Sequence, residues 1–280
     1  MTTSPPRIAV AGSGLAGLHC ATALSNSAEV VVYERLPVPG GEHWEDPDHA
    51  QLVREARDQG VRFAAGTQVV RWEGNRLLAV GEYGGVAEAD ALVVATGHRP
   101  ATRSELRIDG HRSAGIVPAT LALHLLQQRV RLGTDVVVVG ESRWATECIA
   151  AMTSTGQPAT SIVWIGKDDP GPARSVTGMP GWRVTTTHGM PRITGLTVES
   201  ATTTQRIACD CLILAGPPVP YRNIDGAVLD DEPAVYAQRD GGGLEPSAQI
   251  GMKAAVRALA DAKARHHSRT PVDPRIGLPQ

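Results

Sequence analysis

Gly12, Gly14 and Gly17 stand in G-x-G-x-x-G spacing within the run Gly12-Ser13-Gly14-Leu15-Ala16-Gly17, and Glu34 follows 22 residues after Gly12. Each residue type answers a physical demand. Gly12 permits a tight strand-to-helix turn, Gly14 lets backbone approach a pyrophosphate, and Gly17 lets helix and strand pack closely. A helix beginning there offers free N–H groups and a positive dipole end. An acid at the distance of Glu34 accepts the hydrogen bonds of an adenosine ribose. The chemistry implied is recognition of an adenine dinucleotide.

The elements that must position these residues are legible around them. Residues 7–11 (RIAVA) form a short apolar strand ending at Gly12. The helix that follows carries Cys20, Ala21 and Leu24 on the face of Gly17. A second strand, 29–33, ends at Glu34, and the Gly40–Gly41 pair comes shortly after. Residues 90–97 read D-A-L-V-V-A-T-G, a buried strand closing on the small-residue turn Ala95, Thr96, Gly97.

A second set of the same signals lies further on. Residues 135–139 form a buried strand running into Gly140, Ser142, Ala145 and Glu147, which match G-x-G-x-x-A-x-E except that serine replaces the second glycine. A serine Cβ crowds the space of a pyrophosphate unless the backbone path is altered. Strands at 161–165 and 211–215 complete a second βαβ unit inserted between pieces of the first. The expected organisation is a discontinuous domain of residues 1–112 and 226–280, with a second domain at 113–225. After the strand at 161–165 come Lys167, Asp168 and Asp169, with Arg174 a few residues on. A 2′-phosphate wants paired cations, and a neighbouring carboxylate repels it by about 1 kcal/mol at an effective dielectric near 20. NADPH is therefore disfavoured unless Arg174 folds back. NADH, no pyridine nucleotide, or a plain solvated turn remain open.

Composition narrows the classes further. The chain has 280 residues, with 27 Lys plus Arg against 29 Asp plus Glu and a formal charge of −2, which argues against a nucleic-acid binder working by bulk charge. A hydrophobic fraction of 42% and a charged fraction of 20% exclude disorder. The longest apolar runs are strand-sized, well short of the ~20 residues of a spanning helix. Residues 1–7 are polar, so no signal peptide is expected. Cys20, Cys148, Cys209 and Cys211 form no C-x-x-C pair, as in reduced cytoplasmic proteins. Cys209 and Cys211 are expected on one face of a strand with Asp210 on the other, and two thiolates are too few for an iron–sulfur cluster. His266 and His267 diverge by about 100° on a helix and read as dipole partners with Lys263 and Arg265. No metal is expected. Arg99, Arg103, Arg107, Arg112 and Arg129 form either a docking face for an acidic protein or a solvated loop.

The first glycine turn with the Gly40–Gly41 pair and the A-T-G turn resembles the FAD-binding half of flavoproteins with two dinucleotide-binding domains. That resemblance implies an α/β fold of two Rossmann-like domains of the glutathione reductase type. Three stretches together resemble a shortened adrenodoxin-type ferredoxin–NADP reductase. Residues 8–54 hold the glycine turn, the acid followed by R-L-P-x-P, and the triplet Pro47, Asp48, His49. Residues 135–170 hold a degenerate nucleotide turn. Residues 234–259 hold Val235, Tyr236, Ala237 and then Pro246, Ser247, Ala248, Gln249, Ile250, Gly251 opening a helix. Three departures stand out: the family's Gly-Trp is Gln238 and Arg239, its paired arginines are reduced to Lys167, and Ser142 replaces a glycine.

The resemblance implies that FAD is bound by Gly12, Ser13, Gly14, Leu15, Ala16, Gly17, Glu34, Arg35, Gly40, Gly41, Val69, Ala95, Thr96, Gly97, Asp240, Ala248, Gln249 and Ile250. It places Gly140, Ser142, Ala145, Lys167 and Arg174 at an NADH or NADPH site, and His49 as a catalytic imidazole on the nicotinamide side of the flavin. A surface histidine in an acidic loop is the alternative for His49. The chain is also similar to thioredoxin reductases, yet residues 113–134 hold no cysteine, which excludes dithiol exchange. Residues 115–126 resemble FAD subunits of amine dehydrogenases. The expected function is FAD-dependent oxidoreduction, passing hydride or electrons between the flavin and a ferredoxin-like protein or small organic substrate. The alternatives are an FAD subunit of a multi-subunit amine or amino-acid dehydrogenase, or a non-catalytic interaction module. A partner subunit or homodimer is compatible with each, and neither nucleic acid nor membrane is expected as a partner.

Overall fold

The computed structural model of the chain describes residues 4–40, 46–154, 161–166, 176–221, 234–237 and 246–268. They form two compact units, Met1–Gly97 with Pro220–Gln280, and His98–Val219.

In the first unit the chain runs β1 (Arg7–Ala11), α1 (Leu15–Leu24), β2 (Glu29–Glu34), α2 (Pro47–Asp58), β3 (Arg62–Ala65), β4 (Thr67–Trp72), β5 (Arg76–Gly81), β6 (Gly85–Glu88) and β7 (Ala91–Val94). After the second unit it returns as β19 (Val235–Tyr236) and α5 (Ser247–Ser268). A parallel sheet has the order β19-β7-β1-β2-β3, and β4-β5-β6 form an antiparallel meander. The central strands are apolar throughout because both sheet faces are covered. Ile8 and Val10 point to the core shared with α1 and α5, while Ala9 and Ala11 point to the core shared with Trp72, Leu77 and Ala79 of the meander. Beyond Ile250, α5 buries the alanines Ala254, Ala255, Ala258 and Ala262, whose small side chains let the helix lie close against its neighbours. Near its end, Arg265 donates to the Gly74 carbonyl and lies 5.9 Å over the Trp72 ring, and His266 Nδ1 is 3.4 Å from the buried Asp90. These two side chains tie the helix to its own unit; the His267 side chain lies outside the described residues.

The second unit repeats the plan with β8 (His98–Pro100), β9 (Asp109–Gly110), β10 (Ile116–Pro118), α3 (Ala119–Gln127), β11 (Asp135–Val139), α4 (Arg143–Ser154), β12 (Ser161–Ile165), β13 (Val176–Gly178), β14 (Arg183–His188), β15 (Gly195–Glu199), β16 (Thr204–Ala208), β17 (Cys211–Leu214) and β18 (Pro218–Pro220). Its parallel sheet is ordered β10-β17-β11-β12-β13. Helices α3 and α4 pack on one face, and the sheet β16-β15-β14-β9 lies on the other. The whole is an α/β fold of two Rossmann-like dinucleotide-binding domains, the second inserted in the first.

Residues 98–112, read from the sequence as part of the first domain, lie with the second unit. Ile108 is buried in its core, β9 pairs with β14, and Ala101 N–H donates to the Pro217 carbonyl at 3.0 Å. Two arginines of this polar stretch, Arg99 and Arg103, have local structural work. Arg99 pairs through both terminal nitrogens with Glu105 at 2.7 and 2.9 Å, and Arg103 donates to the carbonyls of Gly110 and His111 and to Thr187 Oγ1. The cysteine expectation also needs correction. Cys209 packs with Leu212 and Leu214, whereas Cys211 packs with Val136 and Ile213 on the opposite face. Cys209 precedes β17, and the chain bends at Asp210, whose carboxylate accepts the main-chain N–H groups of Thr134 and Asp135, so strict alternation does not reach across it.

Candidate functional site

The site of the first unit grows out of the β1–α1 turn. Gly12 adopts φ +106°, and its N–H donates to the Tyr33 carbonyl at 2.8 Å. A Cβ on Gly12 would stand 2.4 Å from the Ala95 carbonyl oxygen, and one on Gly17 only 2.1 Å from the Gly12 carbonyl oxygen. These two glycines are demanded by the protein itself. Gly14 is different, because a Cβ there would meet no atom within 4 Å. The space beside it is a cradle that a side chain would fill and that the protein does not use. Gly14 also caps α1 without a side-chain bond, and no acid lies in the first turn. The N–H groups of that turn therefore have neither an intrahelical nor a capping side-chain acceptor, an arrangement that suits an anion. The first turn of α5 joins them: a Cβ on Gly251 would lie 2.4 Å from the Ala16 carbonyl oxygen, so the opening turns of α1 and α5 lie side by side. Ala248 and Gln249 belong to that turn of α5, and Ile250 is buried against Ala16 and Ala95.

Around the turn runs a hydrogen-bonded hub centred on Ser13, which is fully buried. Its hydroxyl donates to Glu34 Oε2 at 2.6 Å, its N–H donates to the same oxygen at 3.1 Å, and its hydroxyl accepts from Gly40 N–H at 2.8 Å. Glu34 Oε1 accepts from Leu36 N–H at 2.9 Å. A carboxylate offers about four acceptor positions, so Oε1 retains capacity for a ribose hydroxyl. His49 sits in the first turn of α2, 1% exposed, with Nε2 3.0 Å from the Ser13 carbonyl oxygen. Since a carbonyl only accepts, Nε2 is the donor. The imidazole is thus neither on the surface nor in a loop, but under the glycine turn.

The turn after β7 is held by a residue that the sequence reading did not single out. Tyr221 N–H donates to the Gly97 carbonyl at 2.9 Å, and Thr96 Oγ1 donates to the Tyr221 carbonyl. Arg35 lies 4.9 Å over the Tyr221 ring. Nothing in the P-V-P-Y run marks this role, because the pairing spans more than a hundred residues of chain. Leu15 is partly exposed at the start of α1, and Val69 turns its side chain into the meander core with Trp72 and Leu77. Gly41 and Asp240 lie outside the described residues.

The second unit builds a comparable turn. Gly140 has φ +122°, a Cβ on it would lie 2.0 Å from the Ala215 carbonyl oxygen, and Ala145 is fully buried at the place held by Gly17 in the first unit. Ser142 departs from the glycine pattern by turning its hydroxyl back to the Ala215 carbonyl oxygen at 2.8 Å. Lys167 and Arg174, with Asp168 and Asp169, lie outside the described residues.

Burial pushes the thiols of Cys20, Cys148, Cys209 and Cys211 up to about 12, and all four are free. Among the described residues no group of three or more His, Cys, Asp or Glu could hold a metal ion, and no helix is long and apolar enough to cross a membrane.

Comparison with known proteins agrees with this geometry. Residues 2–120 match the family model of the pyridine nucleotide-disulphide oxidoreductases. A dihydrolipoamide dehydrogenase of Chaetomium thermophilum is 32% identical over 107 residues, which is 35% of this chain and 21% of that protein; the match thus spans about a fifth of the relative's length. Among solved structures, a Lactococcus lactis thioredoxin reductase superimposes with a TM-score of 0.68 at 14% identity, covering 94% of this chain and 99% of its own. A T. acidophilum thioredoxin reductase gives 0.65 at 15% identity, covering 91% and 98%. At such identities the likeness is one of fold. The segment 2–120 that matches this family model holds the glycine turn, Glu34 and the Ala95–Gly97 turn, and the described chain carries the two-domain dinucleotide-binding fold seen in thioredoxin reductases.

Proposed function

We propose that the chain is an FAD-dependent oxidoreductase working in the cytoplasm, with a ferredoxin-like protein or a small organic molecule as redox partner. The observation that carries this reading is the open cradle beside Gly14, set between two adjacent helix N-termini and next to an oriented Glu34. When bound, FAD supplies an isoalloxazine able to take and give hydride or single electrons. The chain's own residues do the holding. Main-chain N–H groups at the openings of α1 and α5 balance the diphosphate charge. Glu34 Oε1 takes a ribose hydroxyl, and Gly97, with φ +74° and nothing within 4 Å of its Cβ position, leaves the end of β7 clear for a flat ring system. The thiols, buried and protonated, take no part in electron transfer, which sets the proposed reaction apart from the dithiol chemistry of thioredoxin reductases.

The test is the visible spectrum of the purified protein, followed by anaerobic titration with NADH, NADPH, reduced ferredoxin and a panel of amines at the flavin band. Stoichiometric FAD and bleaching by one of these support the reading. A colourless protein that refuses added FAD sinks it.

A further inference from the structure

The chain carries the same crossover twice, and main-chain hydrogen bonds align the two copies residue by residue. In the first unit Gly12 N–H donates to Tyr33 O at 2.8 Å and Ala95 N–H to Ala11 O at 2.8 Å. In the second, Gly140 N–H donates to Ile165 O at 3.0 Å and Ala215 N–H to Val139 O at 2.8 Å. Gly140 therefore matches Gly12, Ala215 matches Ala95, and the residue after Ile165, which is Gly166, matches Glu34. Asp168 and Asp169 stand two and three positions past that seat in the sequence. The seat that carries the ribose acid in the first unit carries no side chain in the second.

Another side chain has taken it. Trp164, two residues earlier on β12, swings its indole over the turn so that Nε1 donates to the Gly140 carbonyl at 2.8 Å. A Cβ on Gly166 would lie 2.9 Å from that indole nitrogen and 3.2 Å from the Gly140 carbonyl oxygen. A carboxylate could not be placed there without moving the indole. Ser142 adds a second difference, since its hydroxyl is tied to Ala215 O where Gly14 leaves open space. These residues do not fit the adenosine half of NADH, whose ribose diol needs a carboxylate acceptor.

We propose that the second unit rejects NADH, and that Trp164 together with Gly166 decides this. An NADH molecule seated on the turn would set its ribose hydroxyls against an indole that already has its acceptor, with no carboxylate at the position of Glu34 to receive them. The inference rests on the oxidoreductase reading only in treating NADH as a candidate electron donor. Binding itself can be measured whether or not flavin is present.

The experiment is calorimetric titration of the full-length protein, as purified, with NADH and with NADPH. It is repeated on the double variant Trp164→Val/Gly166→Glu, which removes the indole and restores an acid at the position of Glu34. The wild-type protein is expected to show no saturable NADH binding up to about 1 mM, and the double variant to bind NADH at least about tenfold more tightly, the gain of one satisfied polar contact. Binding of NADPH by the wild type while NADH is ignored supports the proposal, because a 2′-phosphate seeks cations in place of a carboxylate. Micromolar NADH binding by the wild type overturns it. So does a double variant that keeps the wild-type far-ultraviolet spectrum and gains nothing. Should the double variant not fold, the wild-type titration alone still decides. Failure of the FAD reading shows separately, as a protein without flavin absorption.

Discussion

Ser13 Oγ donates to Glu34 Oε2 at 2.6 Å, and the same hydroxyl accepts from Gly40 N–H at 2.8 Å, so one buried serine joins the glycine turn, the end of β2 and the following turn. Because Gly40 supplies its own hydrogen, the hydroxyl proton is committed to Glu34. The carboxylate is thereby fixed in orientation before any ribose arrives. Holding a ligand-binding group in its bound geometry reduces the ordering cost of association.

Replacing Ser13 by Ala removes both links at once and leaves Gly40 N–H buried without its acceptor. Loss of about 1–3 kcal/mol of stability is expected from that orphaned donor. A rise of roughly tenfold in FAD dissociation constant is expected from the loosened carboxylate. Urea unfolding and flavin release by dialysis measure the two separately; a variant unchanged in both would show the hub to be incidental.

Gly14 and Gly17 should separate binding from folding. A Cβ on Gly17 meets the Gly12 carbonyl oxygen at 2.1 Å, so Gly17→Ala must push α1 off the sheet, at a cost of about 1–3 kcal/mol or more. A Cβ on Gly14 meets nothing within 4 Å, so Gly14→Val should fold with a Tm close to that of flavin-free wild type yet emerge without flavin. Thermal melts paired with absorption spectra check the contrast. Retention of FAD by Gly14→Val would remove the diphosphate from that cradle.

The motif residues were legible because short-range spacing encodes them. Gly12, Gly17 and Gly140 each stand where a Cβ would strike backbone, and such demands leave a trace in one stretch of sequence. The parallel strands were legible for the same reason, as valine-rich runs closing on small residues. What sequence could not show was pairing at long range. Tyr221 holds Thr96 and Gly97 from across the insertion, and the indole of Trp164 reaches Gly140 from a neighbouring strand. The arginines of the 98–112 stretch read from the sequence as a docking face or a solvated loop. Arg99 in fact pairs with Glu105, Arg103 satisfies local carbonyls, and Ile108 anchors the stretch in a core. Alternation read through Asp210 puts Cys209 and Cys211 on one face, but the chain bends at Asp210, just before β17 begins at Cys211.

The buried thiols predict an alkaline limit to stability. Each is pushed up from the ordinary thiol value of 9.0 to about 12 by burial. A raised folded value means that the fold favours the neutral thiol. The corresponding stability is present in full below the unfolded value and is lost progressively as pH rises through the window from 9.0 to about 12. Unfolding free energy should therefore fall with pH above about 9, and the slope should lessen in Cys20→Ala relative to wild type. At pH 8 a disulfide-exchange reagent should leave the native protein unmodified and titrate four thiols after denaturation. Fast reaction of the native state would contradict the burial.

His49 provides the sharpest division between holding and reacting. Its Nε2 donates to the Ser13 carbonyl at 3.0 Å from a position 1% exposed, which suits a positioning residue for the glycine turn better than a proton carrier open to substrate. Gln can reproduce a donor at that point, whereas Leu cannot. His49→Gln should therefore keep FAD affinity within about threefold, and His49→Leu should weaken it about tenfold by stranding the carbonyl. Once saturated with FAD, both should turn over at the wild-type kcat with an unchanged pH profile. If the imidazole instead moved a proton during hydride transfer, both variants would lose kcat alike and their pH profiles would flatten on the acid side. Steady-state kinetics at saturating FAD from pH 5 to pH 9 tells the two apart.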